Sequence, residues 1–174
     1  AAPRFSYPDP IEDAQRAVRF VRHRADEYGI RADRIGATGG SSGGHLVLML
    51  GCLQADGDPE SGDPLLRESA SVQCVVARAA PSNFLIDDQS SYAFLKSRPP
   101  KDGDTSSPEY QINRDASPVT HVTKNAPPTL LMHGDKDLIV AHNQSVVMLE
   151  ALQKAGVTSE LLTIPGGGHG PRFS

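Results

Sequence analysis

Several residue types that mark particular protein classes are scarce or absent in this chain of 174 residues. It has no tryptophan and only two cysteines, Cys52 and Cys74. Both cysteines lie in apolar runs without the C-x-x-C spacing of metal and redox motifs, so we expect free buried thiols rather than a disulfide or a metal pair. Lys and Arg (17) do not outnumber Asp and Glu (21), and a net charge of -4 offers no basic surface. We therefore expect no nucleic-acid partner.

Long apolar runs are also missing. No run reaches the length of about 18 residues that a membrane-spanning helix needs, and the first residues lack the basic and apolar regions of a signal peptide. We therefore expect a soluble protein with no membrane partner, and a cytoplasmic location is favoured. The apolar content of 38% and charged content of 22% are typical of a folded chain, and residues 1–174 fit a single domain with one core.

Hydrophobic periodicity predicts alternating helices and strands. Apolar residues at spacings of three and four predict a helix over residues 9–28, with Asp9 as its N-cap, and another over residues 143–155. Short apolar runs predict four buried strands, at residues 34–39, 72–77, 128–132 and 160–164. This alternation predicts an α/β fold, a parallel sheet flanked by helices. Residues 82–127 break any period and are interpreted as an irregular cap or loop segment.

The segment GATGGSSGGHL, residues 36–46, joins the first predicted strand to an apolar helix and places five glycines around two serines. A nucleophile elbow puts a serine on a strained strand-to-helix turn and needs small residues two positions before and after it. Glycines stand at both distances from each of Ser41 and Ser42, so the spacing allows either serine. The glycines do not form G-x-G-x-x-G, and His45 stands where a P-loop has lysine, so neither nucleotide-binding motif fits.

A serine nucleophile needs a histidine base and a carboxylate that orients the base. In an open parallel sheet such groups belong on loops at the carboxyl ends of strands. The loop after the third predicted strand reads HGDKD and offers Asp135 and Asp137, and the loop after the fourth reads PGGGHG and offers His169. The order serine, acid, histidine is that of the α/β-hydrolases.

The runs GATGGSSGGHL, LLMHGDKDLIV and IPGGGHG resemble three consecutive signatures of the α/β-hydrolase esterases. The branch they resemble holds acetyl esterases and feruloyl-esterase-like hydrolases close to hormone-sensitive lipase, and the resemblance runs from about residue 9 to residue 170. It implies a serine esterase that hydrolyses small carboxylic esters through an acyl-enzyme. The implied acyl group is acetyl or another short chain, and esters on carbohydrates are candidate substrates. It implies no cofactor, and no His/Cys/Asp cluster has metal-ligand spacing.

The resemblance also implies roles for individual residues. By position in the family pattern, Ser41 is the nucleophile, His169 the general base and Asp137 the acid that orients it, with Asp135 as the alternative acid. The backbone N–H of Ser42 is the implied oxyanion donor.

Further polar and aromatic residues receive less specific interpretations. The resemblance implies a structural position for His45 and implies that His133 anchors the loop that carries Asp137. The remaining histidines are interpreted as surface or loop residues: His23, His121 and His142. Four residues of the irregular segment are candidates for lining an acyl or alcohol pocket, with a solvated loop as the alternative: Asp87, Asp88, Tyr92 and Phe94.

The chain departs from the family pattern in its extent. It supplies only the elbow strand and the three strands that follow, which corresponds to the C-terminal half of the fold, and no His-Gly-Gly run that would complete the oxyanion hole precedes Ser41. We expect the elbow strand to have a free edge, covered either by a missing N-terminal segment or by a homo-oligomer. A smaller departure is Val140-Ala141, where the family usually has valine-proline.

Two other functions stay open. The prolyl-oligopeptidase group of serine peptidases has similar signatures, but the residue after its nucleophile is often tyrosine, and Ser42 at that position favours an esterase. The second alternative is a non-catalytic fragment or subunit that lacks a complete oxyanion hole.

Overall fold

The computed structural model describes residues 6–53, 55–86, 92 and 94–170 of the chain. The regular elements of these residues are, in chain order, α1 (Asp9–His23), β1 (Gly36–Gly40), α2 (Ser42–Leu53), β2 (Cys74–Arg78), α3 (Pro108–Asp115), a 3₁₀ helix (Pro118–His121), β3 (Thr129–Gly134), α4 (Asn143–Lys154) and β4 (Ser159–Ile164). Within these ranges no helix combines the length and the apolar content that a membrane crossing requires.

The four strands form one parallel sheet in the order β1-β2-β3-β4, which confirms the predicted fold class. The register keeps the carboxyl ends of the strands close to level, because Gly40 lies opposite Arg78 and Gly134 lies opposite Ile164. The loops that leave β1, β3 and β4 therefore start from the same end of the sheet, where the carboxyl ends of the strands lie. Within the described residues β1 pairs with β2 alone, so its other edge is free, as expected.

The core lies on one face of the sheet. Alternate strand residues point towards α2 and α4 and pack there in a single cluster, which includes Ala37, Val75, Ala77, Leu131, Leu161, Leu48, Met148 and Leu152. Burying each of the larger side chains contributes about 1.5 to 3 kcal/mol. Apolar residues of the opposite face lie outside this cluster, and Leu162 of that face is 46% exposed. In the part of the chain that the structure describes, the sheet is thus covered on one face.

Two helix predictions need correction. The helix α1 ends at His23 rather than near residue 28, and turns follow it. The apolar stripe continues past its end because Ala25 is buried in that turn, so the stripe reports burial and not helical backbone. The N-cap is Pro8, and Asp9 is the first helical residue, where its carboxylate still faces the positive end of the helix.

The segment at residues 82–127 is more ordered than predicted, because it contains α3 and the 3₁₀ helix. The hydroxyl of Ser107 caps α3 by accepting a hydrogen bond from the N–H of Tyr110 at 3.1 Å.

The prediction that both thiols are buried is wrong for Cys74, which lies on the open face of β2 and is exposed. Burial raises the pKa of Cys52 to about 12, so this thiol stays protonated.

Candidate active site

Ser41 occupies the turn between β1 and α2 in a strained backbone conformation. Its φ of 55° lies in the left-handed region, which residues other than glycine rarely adopt. The N–H of Ser41 donates to the carbonyl of Arg78 at 2.9 Å, and the carbonyl of Ser41 accepts from the N–H of His45 at 3.1 Å. The end of β2 and the first turn of α2 therefore hold the strained serine in place.

Glycines allow the backbone to double back at this turn. A Cβ on Gly39 would lie 2.3 Å from the carbonyl oxygen of Gly43, and a Cβ on Gly44 would lie 2.7 Å from the Cβ of Ala80. A Cβ on Gly43 would meet nothing within 4 Å. Of the two small residues that the elbow spacing requires around Ser41, only the first is therefore sterically restricted.

Three side chains from three loops form one hydrogen-bonded chain. The Oγ of Ser41 lies 3.0 Å from Nε2 of His169, and Nδ1 of His169 lies 2.8 Å from Oδ2 of Asp137. A carboxylate can only accept, so Nδ1 carries the proton and Nε2 accepts the hydroxyl hydrogen of Ser41. The Asp137 side chain is fully buried, whereas that of His169 is 21% exposed. This arrangement can pass a proton from the serine to the imidazole.

The loop after β3 holds Asp137 in its ionised form. Its Oδ1 accepts the backbone N–H groups of Ile139 at 2.8 Å and Val140 at 2.9 Å. Burial acts to raise the pKa of Asp137, but the Val140 N–H, the His169 ring and the Ile139 N–H together hold that pKa below its ordinary value. The carboxylate is therefore charged at neutral pH and faces His169.

The alternative acid has a different contact. Oδ1 of Asp135 accepts the N–H of Gly166 at 2.7 Å, in the loop that carries His169. The same two loops meet at Gly134, where a Cβ would lie 2.1 Å from the carbonyl oxygen of Gly167. The structure thus brings Asp137 to His169 and leaves Asp135 bound to the glycine loop.

Ser42, the predicted oxyanion donor, is the first residue of α2 and is exposed. The first N–H groups of a helix have no acceptor within the helix and lie at its positive end. Within the described ranges the N–H of Ser42 has no hydrogen-bond acceptor either. An oxyanion role for this N–H stays a prediction.

His45 lies inside the fold, one turn into α2. It is 1% exposed, its Nε2–H donates to the carbonyl of Ala116 at 2.8 Å, and its ring lies 5.1 Å from Phe84 and 4.8 Å from Phe94. Burial lowers the pKa of His45 to about 4, so the ring is neutral at pH 7. These contacts agree with a structural position for His45.

Tyr92 and Phe94, two of the four candidates for pocket lining, have contacts outside the hydrogen-bonded chain of Ser41, His169 and Asp137. Phe94 packs against the cluster of Phe84, Leu95 and Ala116. Tyr92 lines a cleft of about 610 Å³ that includes none of the three hydrogen-bonded residues. Asp87 and Asp88 lie outside the described residues.

The histidines predicted to lie at the surface or in loops have partners of their own: Glu68 for His23, the carbonyl of Asp115 for His121 and the hydroxyl of Thr163 for His142.

Sequence reasoning missed a buried polar network at the start of α4. The side chain of Gln144 is 1% exposed and accepts the N–H groups of Ser82 and Asn83, at 2.8 and 2.7 Å, through its Oε1. The hydroxyl of Ser145 lies 2.7 Å from Nδ1 of His133. No local pattern could reveal these contacts, because Ser82 and Gln144 are 62 positions apart in the chain.

Among the described residues no three His, Cys, Asp or Glu side chains form a group that could hold a metal ion.

Comparisons with known proteins agree on one family. Residues 2–152 match the family described as BD-FAE. The chain is 30% identical over 184 residues to Esterase LipC of Mycobacterium tuberculosis (strain ATCC 25618 / H37Rv). This alignment covers 97% of this chain and 42% of LipC. Esterase LipQ of the same strain is 32% identical over 177 residues, covering 97% of this chain and 40% of LipQ. The chain therefore spans less than half the length of both relatives.

The fold comparison agrees with the family match. The crystal structure of the acetyl ester-xyloside bifunctional hydrolase from Caldicellulosiruptor lactoaceticus superposes with a TM-score of 0.84 at 32% sequence identity. The aligned region covers 97% of this chain and 59% of that one. The parallel sheet and the strained turn at Ser41 agree with the family match, which extends over most of the chain. The chain therefore belongs to the BD-FAE family of the α/β-hydrolase esterases.

Proposed function

We propose that this chain carries the catalytic machinery of a serine esterase, with Ser41 as nucleophile, His169 as general base and Asp137 as the carboxylate that orients it. The observation that carries the proposal is the unbroken hydrogen-bonded chain of 3.0 Å and 2.8 Å through the two ring nitrogens of His169. The strained φ of 55° at Ser41 supports it, because such strain is typical of a serine held at a nucleophile elbow.

The geometry supports a two-step acyl transfer. Ser41 Oγ attacks the ester carbonyl carbon while Nε2 of His169 takes its proton, and the ionised Asp137 stabilises the imidazolium that forms. The ester C–O bond then breaks, the alcohol leaves with the proton from His169, and the acyl group remains on Ser41. Water, deprotonated by His169, attacks this acyl-enzyme and releases the carboxylic acid and free Ser41.

In this mechanism the N–H of Ser42 stabilises the oxyanion at the start of α2. A single oxyanion donor is worth about 10² to 10³ in turnover. A second donor would add a comparable factor.

We propose small carboxylic esters as the substrates, with acetyl or short-chain acyl groups and including esters on carbohydrates. The support comes from two neighbours: LipC is described as an esterase, and the superposed structure is described as an acetyl ester-xyloside bifunctional hydrolase.

A fluorophosphonate probe tests the proposal, because it bonds covalently to a serine only when a base activates the hydroxyl. We expect the folded chain to be labelled at Ser41, located by peptide mass spectrometry, and the urea-unfolded chain to be unlabelled. His169→Ala should abolish labelling, and Asp137→Asn should lower the rate of p-nitrophenyl acetate hydrolysis by about 10³ to 10⁴. Labelling at Ser42, or equal labelling of folded and unfolded chain, would refute the assignment.

The two alternatives give different results in the same set of assays. A prolyl-oligopeptidase-like peptidase would cleave an aminoacyl nitroanilide faster than p-nitrophenyl acetate, whereas we expect the reverse. A non-catalytic chain would be folded by circular dichroism and yet react with neither substrate nor the probe. Ser42→Ala is the matched control, since it removes the neighbouring hydroxyl but keeps the backbone N–H.

A further inference from the structure

Asp137 receives more hydrogen bonds than a carboxylate needs merely to orient one histidine. Its Oδ1 accepts from the N–H groups of Ile139 and Val140, at 2.8 and 2.9 Å. Its Oδ2 lies 2.8 Å from Nδ1 of His169 and 3.2 Å from Nε2 of a second histidine, His133. Both side chains of the His133–Asp137 pair are fully buried. Three donors besides His169 therefore hold the carboxylate in the orientation that faces His169.

The proton on His133 can be located from its neighbours. Nε2 lies between two atoms that can only accept, Oδ2 of Asp137 at 3.2 Å and the carbonyl oxygen of Val140 at 3.0 Å. Nε2 must therefore carry a hydrogen. On the other side of the ring, Nδ1 lies 2.7 Å from the hydroxyl of Ser145, which can either donate or accept. The hydroxyl donates when the ring is neutral and accepts when it is charged.

Burial decides between these two states. It is the largest influence on His133 and lowers its pKa, against the opposing effects of the Val140 carbonyl and the Asp137 carboxylate. Among the described residues, the other titratable group against the ring is His142, which directly precedes α4, and the two ring centroids are 5.5 Å apart. Below its lowered pKa the ring would gain a proton, so at neutral pH it is neutral and Ser145 donates to Nδ1.

We propose that His133 is a positioning residue for the catalytic carboxylate: as the neutral Nε2–H tautomer, with Ser145 donating to Nδ1, it fixes Oδ2 of Asp137 towards His169 without adding a positive charge. The proposal rests on the proposed function, in which Asp137 serves His169. A charged ring at this position would compensate the carboxylate, and the imidazolium of His169 would lose part of its stabilisation during the reaction. A neutral donor gives the geometric benefit and leaves the negative charge available.

Loss of this donor has a signature that loss of packing does not share. A carboxylate with one hydrogen bond fewer is more basic and pairs more strongly with the protonated ring of His169. More of the free enzyme then holds His169 protonated and unable to accept from Ser41. The acid limb of the pH profile of kcat/KM, which reports the base in the free enzyme, should therefore move to higher pH.

Three variants of the full chain separate the donor from the ring. His133→Gln keeps an N–H donor at about the position of Nε2, and His133→Phe keeps a ring and removes the donor. Ser145→Ala removes the hydroxyl at Nδ1 and leaves the Nε2–H donor in place. With p-nitrophenyl acetate, we expect His133→Phe to lower kcat by about tenfold with KM changed less than about twofold. We expect its acid limb to move up by about 0.5 pH. His133→Gln should keep the wild-type limb and most of kcat. A tenfold loss in His133→Phe with an unmoved limb would overturn the proposal and leave a packing role.

A second measurement does not need activity. Ring ¹H–¹⁵N correlation spectra of the wild-type chain should show His133 as the neutral Nε2–H tautomer at pH 7 and above. Ser145→Ala should keep this tautomer, because Nε2 still lies between the two acceptors. A charged ring at pH 7, or the Nδ1–H tautomer in the wild-type chain, would overturn the proposal. Failure of the wild-type chain to react with any ester or fluorophosphonate would count against the proposed function instead. If His133→Phe does not fold, the protonation state and the tautomer of the wild-type ring still decide.

Discussion

The turn at Ser41 allows a sharp test, because the two glycines around the serine differ in the space beside them. In Gly39→Ala the new Cβ would lie 2.3 Å from the carbonyl oxygen of Gly43 and 2.5 Å from its carbonyl carbon. Cβ contacts below 3.0 Å essentially do not occur, so the start of α2 must move away by about 0.7 Å. The obstacle is backbone, which cannot rotate aside as a side chain can.

The magnitude follows from that displacement. Ser41 lies between the two glycines and must keep its 3.0 Å contact with His169. A misplacement of about 1 Å at a reacting group costs about 10² in rate, so Gly39→Ala should lower the rate of fluorophosphonate labelling by about 30- to 100-fold, or about 2 to 3 kcal/mol. Overpacking should also lower the free energy of unfolding by about 1 to 3 kcal/mol.

Gly43→Ala is the matched control, because its Cβ would meet nothing within 4 Å and its backbone is helical. We expect a labelling rate within about threefold of wild type and a gain in unfolding free energy of up to about 1 kcal/mol. Urea unfolding followed by circular dichroism gives the stabilities, and peptide mass spectrometry gives the labelling rates. Equal losses in both variants, or wild-type labelling in Gly39→Ala, would refute the reasoning from close approach.

Three further predictions concern the loops and the first helix. Gly134→Ala should displace the loop that carries His169 and lower ester hydrolysis by about 10², whereas Gly168→Ala, whose Cβ would meet nothing within 4 Å, should lower it far less; equal effects would contradict this. Because its folded pKa is depressed, Asp137 contributes stability that is present above about pH 4 and lost as the pH falls further; urea unfolding at several pH values should show this fall, and Asp137→Asn should flatten it. Arg22→Ala removes a guanidinium that donates to three backbone carbonyls, so the free energy of unfolding should drop by about 2 kcal/mol, and an unchanged urea midpoint would show that these bonds contribute little.

The sequence predicted those parts of the fold that depend on local pattern. Apolar runs located all four strands, with shifts of one or two residues at their ends. The strand predicted at residues 72–77 is observed at Cys74–Arg78, because Val72 is buried beside the sheet without pairing in it. The helix α3 escaped prediction since it has only eight residues and a single buried one, Asn113, which leaves no apolar stripe to detect.

The candidate site could be predicted as far as its chemistry is tied to spacing. The elbow spacing left both serines open, and the resemblance to a family chose Ser41. The structure adds the physical difference, since Ser41 adopts the left-handed conformation and reaches His169, whereas Ser42 begins α2. Contacts such as Ser145 with His133 were out of reach, because a buried polar pair made across a loop and a helix has no periodic signal. Side-chain hydrogen bonds of this kind depend on how elements pack and not on the order of residues.

The contact between Ser41 and His169 joins the loops of the two outermost strands of the four-stranded sheet, β1 and β4, across 128 positions of the chain. Fraying of either outer strand would separate the hydroxyl from the imidazole while the inner strands and their helices stay formed. The proposed esterase activity would then be lost before secondary structure on heating, and would return last on refolding. Deuterium uptake by the amides of β1 and β4, measured together with the residual turnover, would show whether fraying of these strands accompanies the loss of activity.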